Sequence, residues 1–207
     1  AALTAQGVDK IVALTHLSLA KDRELAARVD RIDIIVGGHS HTVLSNALPG
    51  AEGPYPVRVK SPSGVEVPIV QAGSYGRYLG RLDVAFNAEG QVTAAKGDLI
   101  LLDQSVAEDD NVKATVARLA QPLEELRRQV VGQSAVDIDQ TKCRQAECLM
   151  GNLVADALRW SLKAQGTEIV LQNGGGLRAS IGKGPITMGD VLTVLPFQNT
   201  LSTFQLK

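Results

Sequence analysis

The chain has 207 residues, of which 44% are hydrophobic and 21% charged, and 21 Lys and Arg against 22 Asp and Glu leave a formal net charge of −1. That is the profile of an ordinary globular chain of one or two domains. The basic residues are scattered and balanced by acidic ones, so no basic stripe is available to neutralise a nucleic-acid backbone. No apolar run approaches the ~20 residues that span a bilayer, and Ala1-Ala2-Leu3-Thr4 carries no charged-then-apolar export signal. Aromatic residues make up only 3%, which leaves the core to Ala, Val, Leu and Ile.

In chain order, residues 8–16 read as a strand and loop, 20–29 as a helix with Asp22 in its first turn, and 31–37 as a second strand. This is a β-α-β alternation. All three histidines sit where these strands open into loops, in Leu14-Thr15-His16-Leu17 and Gly37-Gly38-His39-Ser40-His41-Thr42. The carboxyl ends of strands carry the chemistry of α/β proteins. Imidazole ligates borderline divalent metals, and ligands on rigid strand ends can be held to the roughly 2.0–2.1 Å of a Zn–N bond. Gly37 and Gly38 permit a sharp turn at the strand exit. His39 and His41 are two apart, so in a tight loop they can address neighbouring metals. Structural, hydrogen-bonded histidines are the alternative, and the concentration of all three at strand exits argues against it.

Residues 45–64, rich in Pro, Gly and Ser, read as a loop or loose hairpin. Strands are expected at 67–72, 78–86 and 92–102, with a hairpin turn marked by Asn87 and Gly90. From 108 to 130, Val112, Val116, Leu119, Leu123, Leu126 and Val130 recur every three or four residues, which predicts a long amphipathic helix suited to connecting two domains. Pro122 removes one donor and is expected to kink it. A strand at 131–138 follows, then a helix over 147–165 with Leu149, Leu153, Ala157 and Trp160 in one stripe and Met150, Val154 and Leu158 alongside. A buried strand at 167–171 leads into Gln172-Asn173-Gly174-Gly175-Gly176-Leu177-Arg178, then a short helix at 188–194, Leu195-Pro196-Phe197 and a last strand at 201–207.

The second half holds weaker signals. Three glycines after a strand leave N–H groups to meet an anion, with Arg178 adding a charge-assisted contact, or they make a plain tight turn. Phe197 is either a stacking platform for a flat ring or a core aromatic. Cys143 and Cys148 are compatible with a short-range disulfide in an oxidising compartment or with two buried thiols, and less so with a metal pair. Arg144 alone reads as a solvated charge.

Six ordered motifs resemble the 5′-nucleotidase family of bilobed metallophosphoesterases. Three are similar to the latter half of the metallophosphatase domain: Leu14-Thr15-His16-Leu17, Gly37-Gly38-His39-Ser40-His41-Thr42 and Gln71-Ala72-Gly73-Ser74-Tyr75-Gly76-Arg77-Tyr78-Leu79-Gly80. Three are similar to the start of the nucleotide-binding domain: the run from Glu147 to Ala157, Asn173-Gly174-Gly175-Gly176-Leu177-Arg178 and Val194-Leu195-Pro196-Phe197. The resemblance implies an α/β chain with three parts. Residues 1–104 form a partial metallophosphoesterase β-sandwich flanked by helices, 105–130 a linker helix, and 131–207 a partial α/β nucleotide-binding domain.

It also implies a two-metal centre of the Zn, Mn or Mg class, with His16 and His39 on one cation and His41 on the other. Arg144, Asn173, Gly175, Gly176 and Arg178 would hold a nucleotide such as AMP, and Phe197 would be one of two rings that sandwich the base. Cys143 and Cys148 match a disulfide found in some members, in keeping with a periplasmic or extracellular setting. The family's Asp-x-His, bridging aspartate, Gly-Asn-His segment and second stacking ring have no counterpart in the chain. The expectation is therefore an internal fragment, inactive alone, of an enzyme that removes phosphate from nucleoside 5′-monophosphates, with nucleotide sugars and dinucleotides as further candidates. Other readings are a cyclic-nucleotide phosphodiesterase, the thiohydrolase of sulfur oxidation, or a non-catalytic nucleotide-binding fragment.

Overall fold

A computed structural model describes residues 2–205. The chain divides into two compact units, one ending at Ala107 and one beginning at Glu108. The first unit contains α1 (Ala2–Ala5), β1 (Val12–Leu14), α2 (Leu19–Arg28), β2 (Ile34–Val36), β3 (Val57–Lys60), β4 (Glu66–Val70), β5 (Tyr78–Phe86) and β6 (Val92–Leu101). Four of these strands form a sheet in the order β1-β2-β4-β3. β1, β2 and β4 are parallel, and β3 runs antiparallel to β4.

The register pairs Leu14 with Val36 and Val36 with Val70, so the carboxyl ends of the three parallel strands are level. Ile35, Val67, Ile69, Leu44 and Ala26 are fully buried, and Leu19 and Leu25 of α2 and Leu82 and Leu99 of the β5–β6 hairpin pack on this core. Each large apolar side chain so buried contributes on the order of 1.5–3 kcal/mol, which is what makes the strand ends rigid supports.

Most of the sequence expectations hold in this unit, with strands shorter than the apolar runs. The exception is 45–64, which contains β3. Val57 is buried and Val59 half-buried, while Arg58 and Lys60 between them are exposed, a two-residue alternation masked by the flanking prolines. The Asn87–Gly90 turn forms as expected: Asn87 N–H donates to Gln91 O at 3.0 Å, and Gly90 takes a φ of 78°.

The second unit contains α3 (Asp110–Arg128), β7 (Val130–Ser134), α4 (Leu149–Ser161), β8 (Gly184–Thr187) and α5 (Met188–Val194). β7 and β8 pair antiparallel, and Ile138 bridges to Ile181. Its core is Ile138, Met150, Val154, Leu177, Ile181 and Val194. Helix α3 starts at an Asp109 cap whose carboxylate accepts the N–H groups of Asn111 and Val112, and it continues through Pro122 as one element. Its apolar face forms as expected but is open: Val112, Val116, Leu119, Leu123 and Leu126 are 44–62% exposed.

Two expected strands do not form. Residues 167–171 are unpaired, with Ile169 and Leu171 exposed, and so are 201–205, while residues 206–207 lie outside the described residues. An apolar run becomes a strand only where another strand accepts its backbone hydrogen bonds, and among the described residues none does. In α4 the buried seam is Met150, Val154 and Leu158. Leu149, Leu153 and Trp160, expected to line the stripe, are exposed.

Candidate functional site

The first candidate site is built by loops leaving β1, β2 and β4. Thr15 N–H donates to Val36 O, Gly37 N–H to Val70 O, and Ser18 N–H to Gly38 O, at 2.9, 2.9 and 3.2 Å, so the three strand exits are tied to one another. Gly38 lets the first loop close over the second: a Cβ there would stand 2.9 Å from His16 Nδ1. The result is that the His16 and His39 rings meet edge to face with centroids 5.2 Å apart. His41 is turned to the next loop, where its ring lies 5.8 Å from that of Tyr75.

His39 and His41 both adopt left-handed backbone, with φ of 74° and 58°. Such a conformation is uncommon for a residue with a Cβ and persists only when its surroundings dictate it. Below the loop, the buried Gln71 side chain bonds Gly38, Ser40 and Thr42. The Ser40 hydroxyl in turn accepts the Leu19 N–H at the start of α2, at 3.1 Å.

Among the described residues no three His, Cys, Asp or Glu side chains gather as a metal-binding cluster. Two adjacent imidazoles with a third on the same loop fit a divided donor set, a pair for one cation and one ligand for another. Full coordination then requires further ligands. Two clefts in this unit, of about 440 and 370 Å³ and both bordered by Tyr55, contain none of the histidines.

Sequence reasoning passed over two residues at this site. Asp22 reads as an acidic residue in the first turn of a helix but is fully buried, its Oδ1 accepting at 2.7 Å the hydroxyl of Thr15, the residue before His16. Gln71 was legible only as one position in a longer motif. Polar residues inside an otherwise apolar strand–helix unit were the available signal.

The second candidate site surrounds the glycine turn. Cys143 and Cys148 form a disulfide, and Cys148 Sγ accepts the Gly151 N–H at 3.2 Å at the start of α4. The bridged loop presses on the glycines: a Cβ on Gly174 would stand 2.1 Å from Cys143 O, so only glycine fits. The exposed Arg144 places its guanidinium carbon 3.7 Å from the Cβ position of Gly175. Asn173 Oδ1 accepts the Gly175 N–H at 3.1 Å, and Arg178 Nη1 donates to Gly175 O at 3.0 Å. The Arg178 guanidinium also lies 5.6 Å from the centre of the Phe197 ring, which is 55% exposed and thus no core aromatic.

Arg144, Asn173, Gly175, Gly176, Arg178 and Phe197 therefore share one neighbourhood. The N–H groups of Gly175 and Gly176 are taken up inside the turn by Asn173, so those two donors are engaged within the turn and not free to meet an anion. Asp139 anchors the loop ahead of the disulfide: its carboxylate accepts the Thr141 hydroxyl at 2.6 Å and the Ser180 hydroxyl at 3.2 Å. The Thr141 hydroxyl and N–H, followed by Ser180, hold that carboxyl below the ordinary aspartate range.

Residues 130–207 match the family described as 5′-nucleotidase, C-terminal domain. Over 222 aligned residues the chain is 37% identical to a snake venom 5′-nucleotidase of Gloydius brevicauda, a match covering 99% of this chain and 38% of the relative. The crystal structure of a 5′-nucleotidase precursor from Thermus thermophilus superposes with a TM-score of 0.77 at 44% identity, covering 96% of this chain and 40% of that one. An NAD nucleotidase structure from Haemophilus influenzae gives a TM-score of 0.57 at 25% identity, covering 95% of this chain and 43% of that one. The chain thus spans about two-fifths of the length of each of these proteins.

Proposed function

Because the chain belongs to the 5′-nucleotidase family, we propose that it is the segment of a nucleotide-hydrolysing enzyme that supplies part of a two-cation centre and part of a nucleotide pocket. The reaction splits a nucleoside 5′-monophosphate such as AMP with water into nucleoside and inorganic phosphate. Dinucleotides are further candidate substrates, a reading in keeping with the similarity to an NAD nucleotidase. The observation that carries the proposal is the meeting of the His16 and His39 rings, 5.2 Å apart, at the level carboxyl ends of parallel strands.

His16 and His39 would hold one divalent cation of the Zn, Mn or Mg class, and His41 would be a ligand of the second. When bound, such a pair polarises phosphoryl oxygens and acidifies water. The chain's own work is positional: the buried core fixes the strand ends, and the left-handed loop sets the His39 ring against that of His16 and the His41 ring beside Tyr75. In the second unit, Arg144, Asn173 and Arg178 would hold the nucleotide beside the Gly175–Gly176 turn, and Phe197 would stack the base.

The disulfide supports a periplasmic or extracellular setting, and so does similarity to a venom protein. No helix among the described residues is long and apolar enough to cross a membrane.

Two measurements test the proposal. Calorimetry on the 207-residue chain should show AMP and adenosine binding that Phe197→Ala weakens, without phosphate release in Mn²⁺. A chimera joining the chain to the upstream segment of the Thermus thermophilus relative should hydrolyse AMP in Mn²⁺ and lose that activity on His39→Ala. Robust AMP turnover by the chain alone, or a chimera indifferent to His16→Ala and His39→Ala, would overturn it.

A further inference from the structure

We propose that Gln71 is the positioning residue of the histidine loop, its buried side-chain amide fixing the backbone that presents His39 and His41. Gln71 directly follows β4 and is 2% exposed. Its Oε1 accepts the Ser40 hydroxyl at 2.9 Å and the Thr42 N–H at 2.5 Å, and its Nε2 donates to Gly38 O at 3.2 Å. The orientation of the amide follows from its partners, because a backbone N–H can only donate and a carbonyl can only accept.

The three contacts fall on residues 38, 40 and 42, which alternate with 39 and 41. One amide group therefore grips the chain on both sides of each histidine. Two consecutive odd positions in left-handed backbone are not a conformation that histidine selects by itself, so the loop must be over-determined by its contacts. The main chain around Gln71 adds to the hold: Leu44 N–H donates to Gln71 O, Gly73 N–H donates to Thr42 O, and Val43 bridges to Ala72.

The residue type is demanded by this task. Glutamate keeps the two acceptor contacts but has no donor for Gly38 O. Methionine keeps the volume and loses all three contacts. The two-cation reading enters only in what the loop is for, because the hold on the loop exists whether or not a cation binds.

The test compares isotope-labelled wild-type chain with Gln71→Met, Gln71→Glu and Val67→Ala by solution NMR without metal. Val67→Ala truncates a fully buried core residue of β4, the strand that Gln71 follows, and lowers stability while removing none of the hydrogen bonds between Gln71 and the loop. In Gln71→Met the Thr42 amide should exchange at least about tenfold faster. The amide–α-proton couplings of His39 and His41 should leave their left-handed values, and the cross-peak between the His16 and His39 rings should vanish. Val67→Ala should keep all three signatures, and Gln71→Glu should keep Thr42 protected.

A Co²⁺ titration followed on the ring protons should then show at least about tenfold weaker binding in Gln71→Met, with Gln71→Glu in between. Wild-type couplings and ring contact in Gln71→Met, or their equal loss in Val67→Ala, would overturn the proposal. A wild-type chain whose histidine signals ignore Co²⁺ would instead count against the two-cation reading, with the couplings still deciding the role of Gln71.

Discussion

The carboxylate of Asp22 lies against the α-carbon of Gly37 so closely that a Cβ there would stand 2.2 Å from Asp22 Oδ2. Oδ1 of that fully buried aspartate holds Thr15, while Oδ2 has no hydrogen-bond partner among the described residues. The contact joins α2 to the exit of β2 at the point where the chain turns toward His39. Gly37→Ala should therefore destabilise the chain by about 1–3 kcal/mol, as overpacking of a tight interior does. Denaturant unfolding checks this, and Asp22→Ala in the same chain should recover part of the loss, a coupling that a generic effect of alanine would not give.

At the second site, Phe197→Ala should weaken adenosine binding by about 1–3 kcal/mol, roughly five- to 150-fold, because a base loses one stacking face. Phe197→Trp, which preserves a flat ring, should retain affinity. Equal calorimetric affinities for wild type and alanine variant would remove Phe197 from the pocket.

Reduction of the Cys143–Cys148 bridge should lower the stability of the second unit by about 2 kcal/mol, the chain-entropy value for so short a loop. The bridge also presses the Cys143 carbonyl toward Gly174, so nucleoside affinity should fall with it. Hydrogen exchange read separately over the two units should show faster opening near α4 and an unchanged β1-β2-β4-β3 sheet.

The pH response follows from carboxyls held below their ordinary range. Asp139 is stabilised as the anion by the Thr141 hydroxyl, and Asp190, the capping-box residue of α5, by the Thr187 N–H and hydroxyl. A carboxyl whose pKa is lower folded than unfolded adds stability above its unfolded value, near 3.9, and that stability is lost as pH falls through the folded value. Protection of the second unit should thus be flat from neutral pH down to about 5 and decline below about 4. Asp139→Asn should flatten part of that decline, as followed by hydrogen exchange against pH.

Helix α3 provides a test in the opposite direction. Because Val116 and Leu119 are 60% and 59% exposed, Val116→Glu and Leu119→Glu should each change stability by under about 0.5 kcal/mol. Thermal unfolding that drops by several degrees would mean these side chains are buried in solution.

Periodicity made much of this fold legible. Helix α2, the β5–β6 hairpin and α3 were readable because each carries its own local signal: a first-turn Asp22, the Asn87–Gly90 turn, and a three-to-four spacing of Val and Leu. The Thr187–Asp190 capping box of α5 is a further local signal that the sequence reading did not use. The strands expected at 167–171 and 201–207 failed for the converse reason, since an apolar run says nothing about whether a partner strand lies beside it.

At the sites, the histidines were legible as residue types at strand exits, and the glycine turn as three glycines ahead of Arg178, although the strand expected before it does not form. From the residues alone the pairing of His16 with His39 was not legible, and only the family resemblance implied it, because the ring contact depends on the close approach that Gly38 permits. Nor were the inward turn of Asp22 and the three contacts of Gln71, which arise only once the strands are level.

The most direct measurement is anomalous scattering at the zinc edge from crystals of this chain grown with Zn²⁺. The account requires one zinc within about 2.0–2.1 Å of a ring nitrogen of both His16 and His39. Zinc bound to only one of them, or the two rings apart with zinc held elsewhere, would contradict it.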